Sequence, residues 1–376
     1  MHNIIIIGGG IAGLSAAIAF QKMGLDVKVF DKNNEPTVAG AGIIIAPNAI
    51  QALEPYGISD QIKRVGNESD GFHLLSEKGK TLNKLMIPTS YPKMYSIHRK
   101  DLHQLLLSSL HPDTVEWGKE CIQVEQNNED TVQIRFRDGS KIKGNIAIAA
   151  DGIHSLIRKQ LSHSDYRFSG YTCWRGVISS KTLSLANDFI ETWGTKGRFG
   201  IVPLPNNQVY WYALINSQAN DARFAAYTID DLYNHFKNYH DPIPNILKHA
   251  KQHKMIHRDI MDIVPMKQFF DKRVVLIGDA AHALTPNLGQ GACQAIEDAR
   301  ILTECIQKNS DYHQAFMEYD KKRRNRVEKI SNQAWTVGKL AQLESKALTV
   351  LRDQVMKHTP RWISEKQAHD LYKFEV

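Results

Sequence analysis

Three glycines spaced as Gly8-x-Gly10-x-x-Gly13, followed by an acid at Asp31, carry the first recognisable chemistry in this 376-residue chain. Gly8 permits a tight turn, Gly10 lets the backbone approach a pyrophosphate, and Gly13 lets a helix pack closely on a strand. Ile11 and Ala12 stand between them, where unpaired amides at a helix start would face phosphate charge. Asp31, with Lys32 beside it, comes eighteen residues after Gly13, where a carboxylate can accept hydrogen bonds from ribose hydroxyls. The pattern reads as a dinucleotide-binding loop. The bland alternative is a glycine-rich turn with no ligand, and spacing alone does not separate FAD from NAD.

A second cluster is Gly278-Asp279-Ala280-Ala281-His282, followed by Pro286-Asn287-Leu288-Gly289-Gln290-Gly291. Asp279 would stand at a sheet edge within reach of a ligand. The glycines at 289 and 291 open a helix whose amides would stabilise a developing anion. The alternative for Asp279 is a helix cap or salt-bridge partner, and His282 is at least as readily a packed structural histidine as a catalytic one. A third cluster, Asp151-Gly152 with Ser155 and Arg158, could orient a loop near a cofactor or form a structural turn; Arg158 would pair with Asp151 or contact phosphate. Arg99 opens a helix and could clamp a cofactor or lie on the surface.

The elements that must hold these residues follow from the apolar patterning. Ile4–Ile7 is a β-branched run suited to a parallel strand covered on both faces. A helix over 11–23 ends at Gly24, and Val27–Phe30 forms a second strand. Residues 43–62 look partly helical, broken by Pro47 and Pro55, and 71–97 read as strands or loop. Leu102, Leu105, Leu106 and Leu110 mark a helix, and Val132–Phe136 runs into a hairpin signal at Asp138-Gly139. Ile146–Ala150 and Arg273–Ile277 are further buried-type strands. Short aromatic and β-branched runs over 165–215 indicate an antiparallel sheet. Residues 222–255 and the chain from 291 onward read as helical, with a break near Pro360. The fold class is therefore α/β, with a discontinuous Rossmann-like domain (1–70, 98–165 and 273–330). An inserted, mostly antiparallel substrate domain comprises 71–97 and 166–272, and a helical region 331–376 closes the chain.

Composition narrows the class. A 42% apolar and 23% charged chain is ordinary for a soluble globular protein. The net charge of +7 is spread along the chain, and the run Lys321, Lys322, Arg323, Arg324, Arg326 reads as a solvated helix face, with attraction of an anion as the alternative. No aromatic–basic interleaving points to nucleic acid, and no apolar run reaches membrane-spanning length. Cys121, Cys173, Cys293 and Cys305 have neither zinc-site nor disulfide spacing, and the sixteen histidines show no ligand spacing. No metal is expected. With no signal-peptide pattern, a cytoplasmic location is the expectation.

Four stretches together resemble one family: GGGIAGLSAA at 8–17, HRKDL at 98–102, AADGIHSLIR at 149–158 and GDAAHALTPNLGQGACQAIEDA at 278–299. They are similar to the single-component FAD-dependent aromatic hydroxylases, the para-hydroxybenzoate hydroxylase-like group with its salicylate, urate and tetracycline monooxygenase relatives. The resemblance covers about residues 1–330. It implies that Gly8, Gly10 and Gly13 hold the FAD pyrophosphate and Asp31 the adenosine ribose. Arg99 would contact the phosphate–ribitol region and Asp279 the ribitol. Asp151 and Gly152 would serve FAD and the nicotinamide cofactor. Pro286, Leu288, Gly289, Gln290 and Gly291 would line the isoalloxazine after Gly278, with Ala41 and Gly42 on its other side.

The same resemblance implies a reaction. NADPH or NADH reduces FAD, oxygen gives a flavin C4a-hydroperoxide, and one oxygen atom passes to a small, electron-rich, anionic aromatic or heteroaromatic compound. The partners would be that compound and molecular oxygen, with no nucleic acid and no membrane, in a monomer or homodimer. Arg198, five residues before Pro203, and Tyr210, seven after it, match the spacing of the arginine and tyrosine that act on substrate in urate-oxidising members. They are the candidate catalytic pair, with ordinary sheet residues as the alternative. Trp174, Arg175, Trp193 and Trp211 are further pocket candidates. The rival readings are a urate-type or tetracycline-type hydroxylase, a non-hydroxylating FAD reductase, and a flavin-bound interaction protein. A flavin halogenase would carry a WxWxIP stretch, which is absent from the sequence.

Overall fold

The computed structural model describes residues 2–36, 41–126, 131–162, 164–183, 185 and 187–375. Among them the strands form three sheets. The first is eight-stranded and places His2–Ile7 between Lys141–Ala149 and Val27–Asp31, all parallel, with Val274–Leu276 joining Lys141–Ala149 in the same sense. Ile4, Ile5 and Ile6 are wholly buried, as a strand covered on both faces requires. The order of these strands brings the ends of His2–Ile7, Lys141–Ala149 and Val274–Leu276 to one edge. That edge carries Gly8, Asp151 and Gly278, three motifs separated by more than 100 residues.

Two sequence expectations change in detail. Pro47 does not break a helix but begins one, Pro47–Leu53, where its missing N–H costs nothing. Gly42–Ile45 before it is a strand that pairs with Met94–His98 in the three-stranded sheet. Within 71–97, Gly71–Ser76 and Thr81–Met86 are strands at one end of the second sheet.

That second sheet is seven-stranded, ordered Ile256–Ile263, Tyr166–Ser179, Gln208–Asn216, Gly197–Leu204, Phe189–Gly194, Gly71–Ser76, Thr81–Met86. Only the pair Phe189–Gly194 and Gly71–Ser76 is parallel. Strand alternation sorts its residues onto two faces. Trp174, Phe199, Val209 and Trp211 bury one face against the helices Ile229–Phe236 and Ile243–Ala250. Two of the tryptophans considered as pocket residues, Trp174 and Trp211, are therefore core. Cross-strand register sets Arg175, Tyr212 and Gly200 in one row of the other face, with Arg198, Tyr210 and Glu191 on neighbouring positions of that face.

Gly200 allows this face to exist. A Cβ there would sit 1.9 Å from Tyr212 Cζ, so the tyrosine ring lies across a position that tolerates no side chain. Gly200→Ala is expected to displace the ring and break the 2.6 Å bond from its hydroxyl to Glu191. The overpacking should cost about 1–3 kcal/mol, readable as a lowered melting temperature of the flavin-loaded protein.

The chain ends in helices Gly291–Lys308, Tyr312–Ala341, Lys346–Lys357 and Arg361–Tyr372, with Pro360 at the last N-cap. The 30-residue helix Tyr312–Ala341 runs without interruption through residue 330 and packs along Gly291–Lys308.

Candidate cofactor cradle and active site

The glycine loop is built as its spacing demands. Gly8 has φ +111°, and a Cβ on it would lie 2.2 Å from Ala150 O. A Cβ on Gly13 would lie 1.9 Å from Gly8 O, so helix Ile11–Lys22 is seated on the loop itself. Gly10 differs, because a Cβ there would meet nothing within 4 Å. The space over Gly10 is open, and the helix it caps has no side-chain cap on its first amides. Open space above unpaired amides is the cradle a pyrophosphate needs.

Asp31 does more than the sequence suggests. Its Oδ2 accepts the Gly9 N–H at 2.7 Å and its Oδ1 accepts the Asn33 N–H at 2.8 Å, so it shapes the loop as well as standing beside it. Lys32 is exposed next to it. His103, which no motif marks, is buried with its Nε2–H donated to Gly9 O at 2.7 Å.

At the neighbouring strand end, Asp151 Oδ2 accepts the Leu156 N–H at 2.9 Å, capping helix Leu156–Leu161. Its Oδ1 is buried with no hydrogen-bond partner among the described residues. Burial raises the Asp151 pKa, opposed by its bonds to Ser155 and backbone amides. Gly152 follows with φ +77°. Arg158 neither pairs with Asp151 nor reaches toward phosphate. It is fully buried, donating to Ala280 O at 3.1 Å and Ile153 O at 2.5 Å, and so ties the second cofactor motif to the third.

Gly278 has φ +58°, and a Cβ there would meet Ala12 Cβ at 2.9 Å. Asp279 is exposed at the start of the short helix Asp279–His282. Pro286–Leu288 forms a single 3-10 turn with Pro286 exposed and Leu288 half-buried, and Gly289 follows at φ +63°. Cβ atoms on Gly289 and Gly291 would meet nothing within 4 Å, and helix Gly291–Lys308 begins without a side-chain cap. Open space over free amides thus recurs. Gln290 points away from it, its side chain buried against Asn48 at 2.9 Å and Gln294 at 2.9 Å.

The remaining predicted residues converge on the same cleft. The Arg99 N–H donates to Ala41 O at 2.9 Å. A Cβ on Gly42 would lie 2.6 Å from Tyr210 Cβ, so strand Gly42–Ile45 rests on the sheet through that glycine. The Arg99 side chain opens to solvent between protein walls. Their crowding lowers its pKa, while Asp279 raises it. Burial holds the Tyr210 hydroxyl well above the ordinary tyrosine pKa, against the pull of Arg175 and Arg99.

Comparison with known proteins gives this cradle a family. Residues 1–334 match the model of the family described as FAD binding domain. The chain belongs to that family of FAD-dependent monooxygenases. It is 30% identical to the aurachin C monooxygenase/isomerase of Stigmatella aurantiaca, covering 94% of each chain. It is also 30% identical to a 2-heptyl-3-hydroxy-4(1H)-quinolone synthase of Pseudomonas aeruginosa, over 98% of this chain and 96% of that one. Klebsiella pneumoniae HpxO, solved with FAD and uric acid, superposes with a TM-score of 0.87 at 25% identity, over 98% and 96% of the two chains. The fold class and the recognition of FAD-dependent aromatic hydroxylases are thereby borne out.

In this flavoprotein Arg198 and Tyr210 lie on one sheet face but in separate networks. Arg198 is buried, its Nε 2.5 Å from Glu191 Oε1 and its Nη1 2.6 Å from Asn287 Oδ1. Glu191 also accepts Trp193 Nε1–H at 2.8 Å and the Tyr212 hydroxyl at 2.6 Å. Asn287, in the turn before Gly289, donates to Tyr171 Oη at 2.8 Å and Ala334 O at 2.8 Å. Sequence reasoning missed Glu191 and Asn287, since neither stands in a recognisable spacing with Arg198.

Behind the cradle lies a buried ion cluster. Asp298 Oδ2 accepts the Gly278 N–H at 2.8 Å and the His282 Nε2–H at 2.5 Å, and its Oδ1 accepts Arg323 Nε–H at 2.6 Å. His282 is therefore a packed structural histidine. Arg323 also pairs with Glu297, which binds Arg326 at 2.8 Å. The basic run at 321–326 is thus only partly a solvated face: Lys321 is exposed, whereas Arg323 is 2% exposed. A basic side chain reads the same in sequence whether water or a buried acid meets it. Among the described residues no helix is long and apolar enough to cross a membrane, and no group of three or more His, Cys, Asp or Glu is placed to hold a metal ion.

Proposed function

We propose that this flavoprotein uses NADH or NADPH and molecular oxygen to hydroxylate a small, electron-rich aromatic or heteroaromatic compound that binds as an anion. The observation that carries this reading is the row of hydroxyl and guanidinium groups on the inner sheet face, set directly against Gly42 and Arg99 of the cofactor cleft. The size class is supported by relatives named for a quinolone and for urate.

FAD would be held by the amides after Gly10, by Asp31 and Lys32, and by Arg99, Asp279 and Asp151-Gly152. The segments Ala41-Gly42 and 286–291 would border its ring. Bound and reduced, FAD supplies the activation of oxygen that no side chain here could provide. The protein's own task is to hold and polarise the substrate in a site closed to water. Tyr210 stays protonated across the physiological range and can donate a hydrogen bond to an oxygen on the substrate ring. Glu191 is no candidate for a base, because its oxygens already accept from Arg198, Trp193 and Tyr212. Arg198 acts through Asn287, steadying the turn before Gly289 instead of touching substrate.

Purified FAD-loaded protein given NADH or NADPH with panels of hydroxyquinolines, purines and hydroxybenzoates should show substrate-dependent oxygen uptake. The product should gain sixteen mass units. Reductant consumption that never yields an oxygenated product from any of them would overturn the hydroxylase reading in favour of a reductase. Tyr210→Phe should retain FAD and lose about 10- to 100-fold in kcat/KM, the worth of one hydrogen bond to a charged group.

A further inference from the structure

The inner face of the seven-stranded sheet carries two arginines with opposite electrostatic fates. Arg198 is buried and its charge is cancelled by Glu191 at 2.5 Å. Arg175 sits on the same face, across from Tyr212 in register and one position diagonal to Tyr210. It is half-exposed, and no carboxylate among the described residues lies within ion-pair distance of it. Its charge reaches Tyr210, Cys173 and Arg99. The acid acting on that group is Asp279, which faces Arg99. Among the described residues, Arg175 and Arg99 thus share this cleft with Asp279, between low-dielectric walls that strengthen the field.

An uncompensated arginine at the rim of such a cleft calls for an anion. The FAD pyrophosphate is accounted for at the other side, over Gly10. The sheet face is where a substrate would lie.

We propose that Arg175 and Tyr210 form an oxyanion-binding subsite that reads a ring-bound enolate or phenolate oxygen of the substrate. Arg175 supplies the charge, and Tyr210, packed over Gly42, supplies a directed hydrogen-bond donor. By its field Arg175 also favours the ionised form of a weakly acidic ring hydroxyl, raising electron density on the carbon to be oxygenated. Arg198 cannot serve in its place, because Glu191 already neutralises it.

This assignment rests on the hydroxylase reading for its meaning, but not for its test. Iodide is the probe. Titrated into the FAD holoenzyme and followed by the flavin absorbance, it should bind about tenfold or more weakly to Arg175→Gln, with Arg175→Lys intermediate and FAD content unchanged in both. Crystals of the holoenzyme soaked in iodide should show anomalous scattering beside the Arg175 guanidinium and the Tyr210 hydroxyl. Unaltered iodide affinity in Arg175→Gln, or iodide bound only at Arg99 or as an adventitious surface ion, would refute the subsite. Iodide binding needs no turnover, so a failed oxygenation assay with intact iodide binding would refute the hydroxylase reading alone.

Discussion

Arg323→Met should lower the stability of the folded protein by about 3–5 kcal/mol, the usual cost of removing one partner from a buried ion cluster. The substitution keeps much of the side-chain volume but removes the cation that Glu297 and Asp298 share, leaving Glu297 to Arg326 and Asp298 to His282. Both carboxyls are buried, Glu297 and Asp298 each being essentially inaccessible. Burial alone would raise their pKa values. His282 and Arg323 overcome it at Asp298, which falls to about 2, and Arg323 with Arg326 lowers Glu297. A folded-state pKa below the unfolded value means the stabilisation is full above about pH 4 and is lost as the pH falls toward 2. Urea unfolding of the two proteins should therefore show the advantage of the native sequence largest near neutrality and shrinking in acid. A constant difference between pH 7 and pH 3 would contradict the assignment. Asp298 also accepts the Gly278 N–H, so the variant should bind FAD less tightly as well as unfold sooner.

Gly13→Ala and Gly10→Ala should both abolish tight FAD binding, by more than about 100-fold, yet differ in the protein they leave behind. At Gly13 a methyl would collide with Gly8 O at 1.9 Å, a backbone atom that cannot yield without moving the loop or the helix. The close seating of helix Ile11–Lys22 on the sheet is lost, and the apoprotein itself should melt several degrees lower. At Gly10 a methyl meets nothing within 4 Å, so the apoprotein should melt within a degree or two of the unaltered one. The affinity lost there would come from filling the space over the free amides. Flavin-to-protein absorbance ratios and melting curves of the two apoproteins separate these outcomes. A normal FAD content in Gly10→Ala would mean that the pyrophosphate does not lie over that residue.

The contrast between these two predictions tracks what could be read from the chain alone. The glycine loop, its flanking strand and helix, and the position of Asp31 are local: all fall within the first 31 residues, and the close seating of Gly13 is on Gly8 of the same loop. The buried runs Ile4–Ile7 and Ile146–Ala149 announce a covered parallel sheet, because no other environment suits so many consecutive β-branched and apolar side chains. Membership of the hydroxylase family followed from motifs of this local kind.

What the residues at 151, 198, 282 and 323 do was decided only by the tertiary structure. Arg198 meets Asn287 across 89 positions, and Arg323 meets Asp298 across 25. Sheet register and helix packing choose such partners, and neither is written in the spacing of the residues themselves. A charged side chain carries the same letter whether it is solvated, neutralised in a core, or left uncompensated in a cleft. Arg323 and Arg198 are neutralised by carboxylates in the interior, whereas Arg175 is half-exposed with no carboxylate within ion-pair distance among the described residues. The sequence by itself therefore determined membership of an FAD-binding family and pointed to Gly8–Gly13 as its dinucleotide loop. The folded chain decided which arginines remain available to meet a substrate, because only burial and pairing distinguish them.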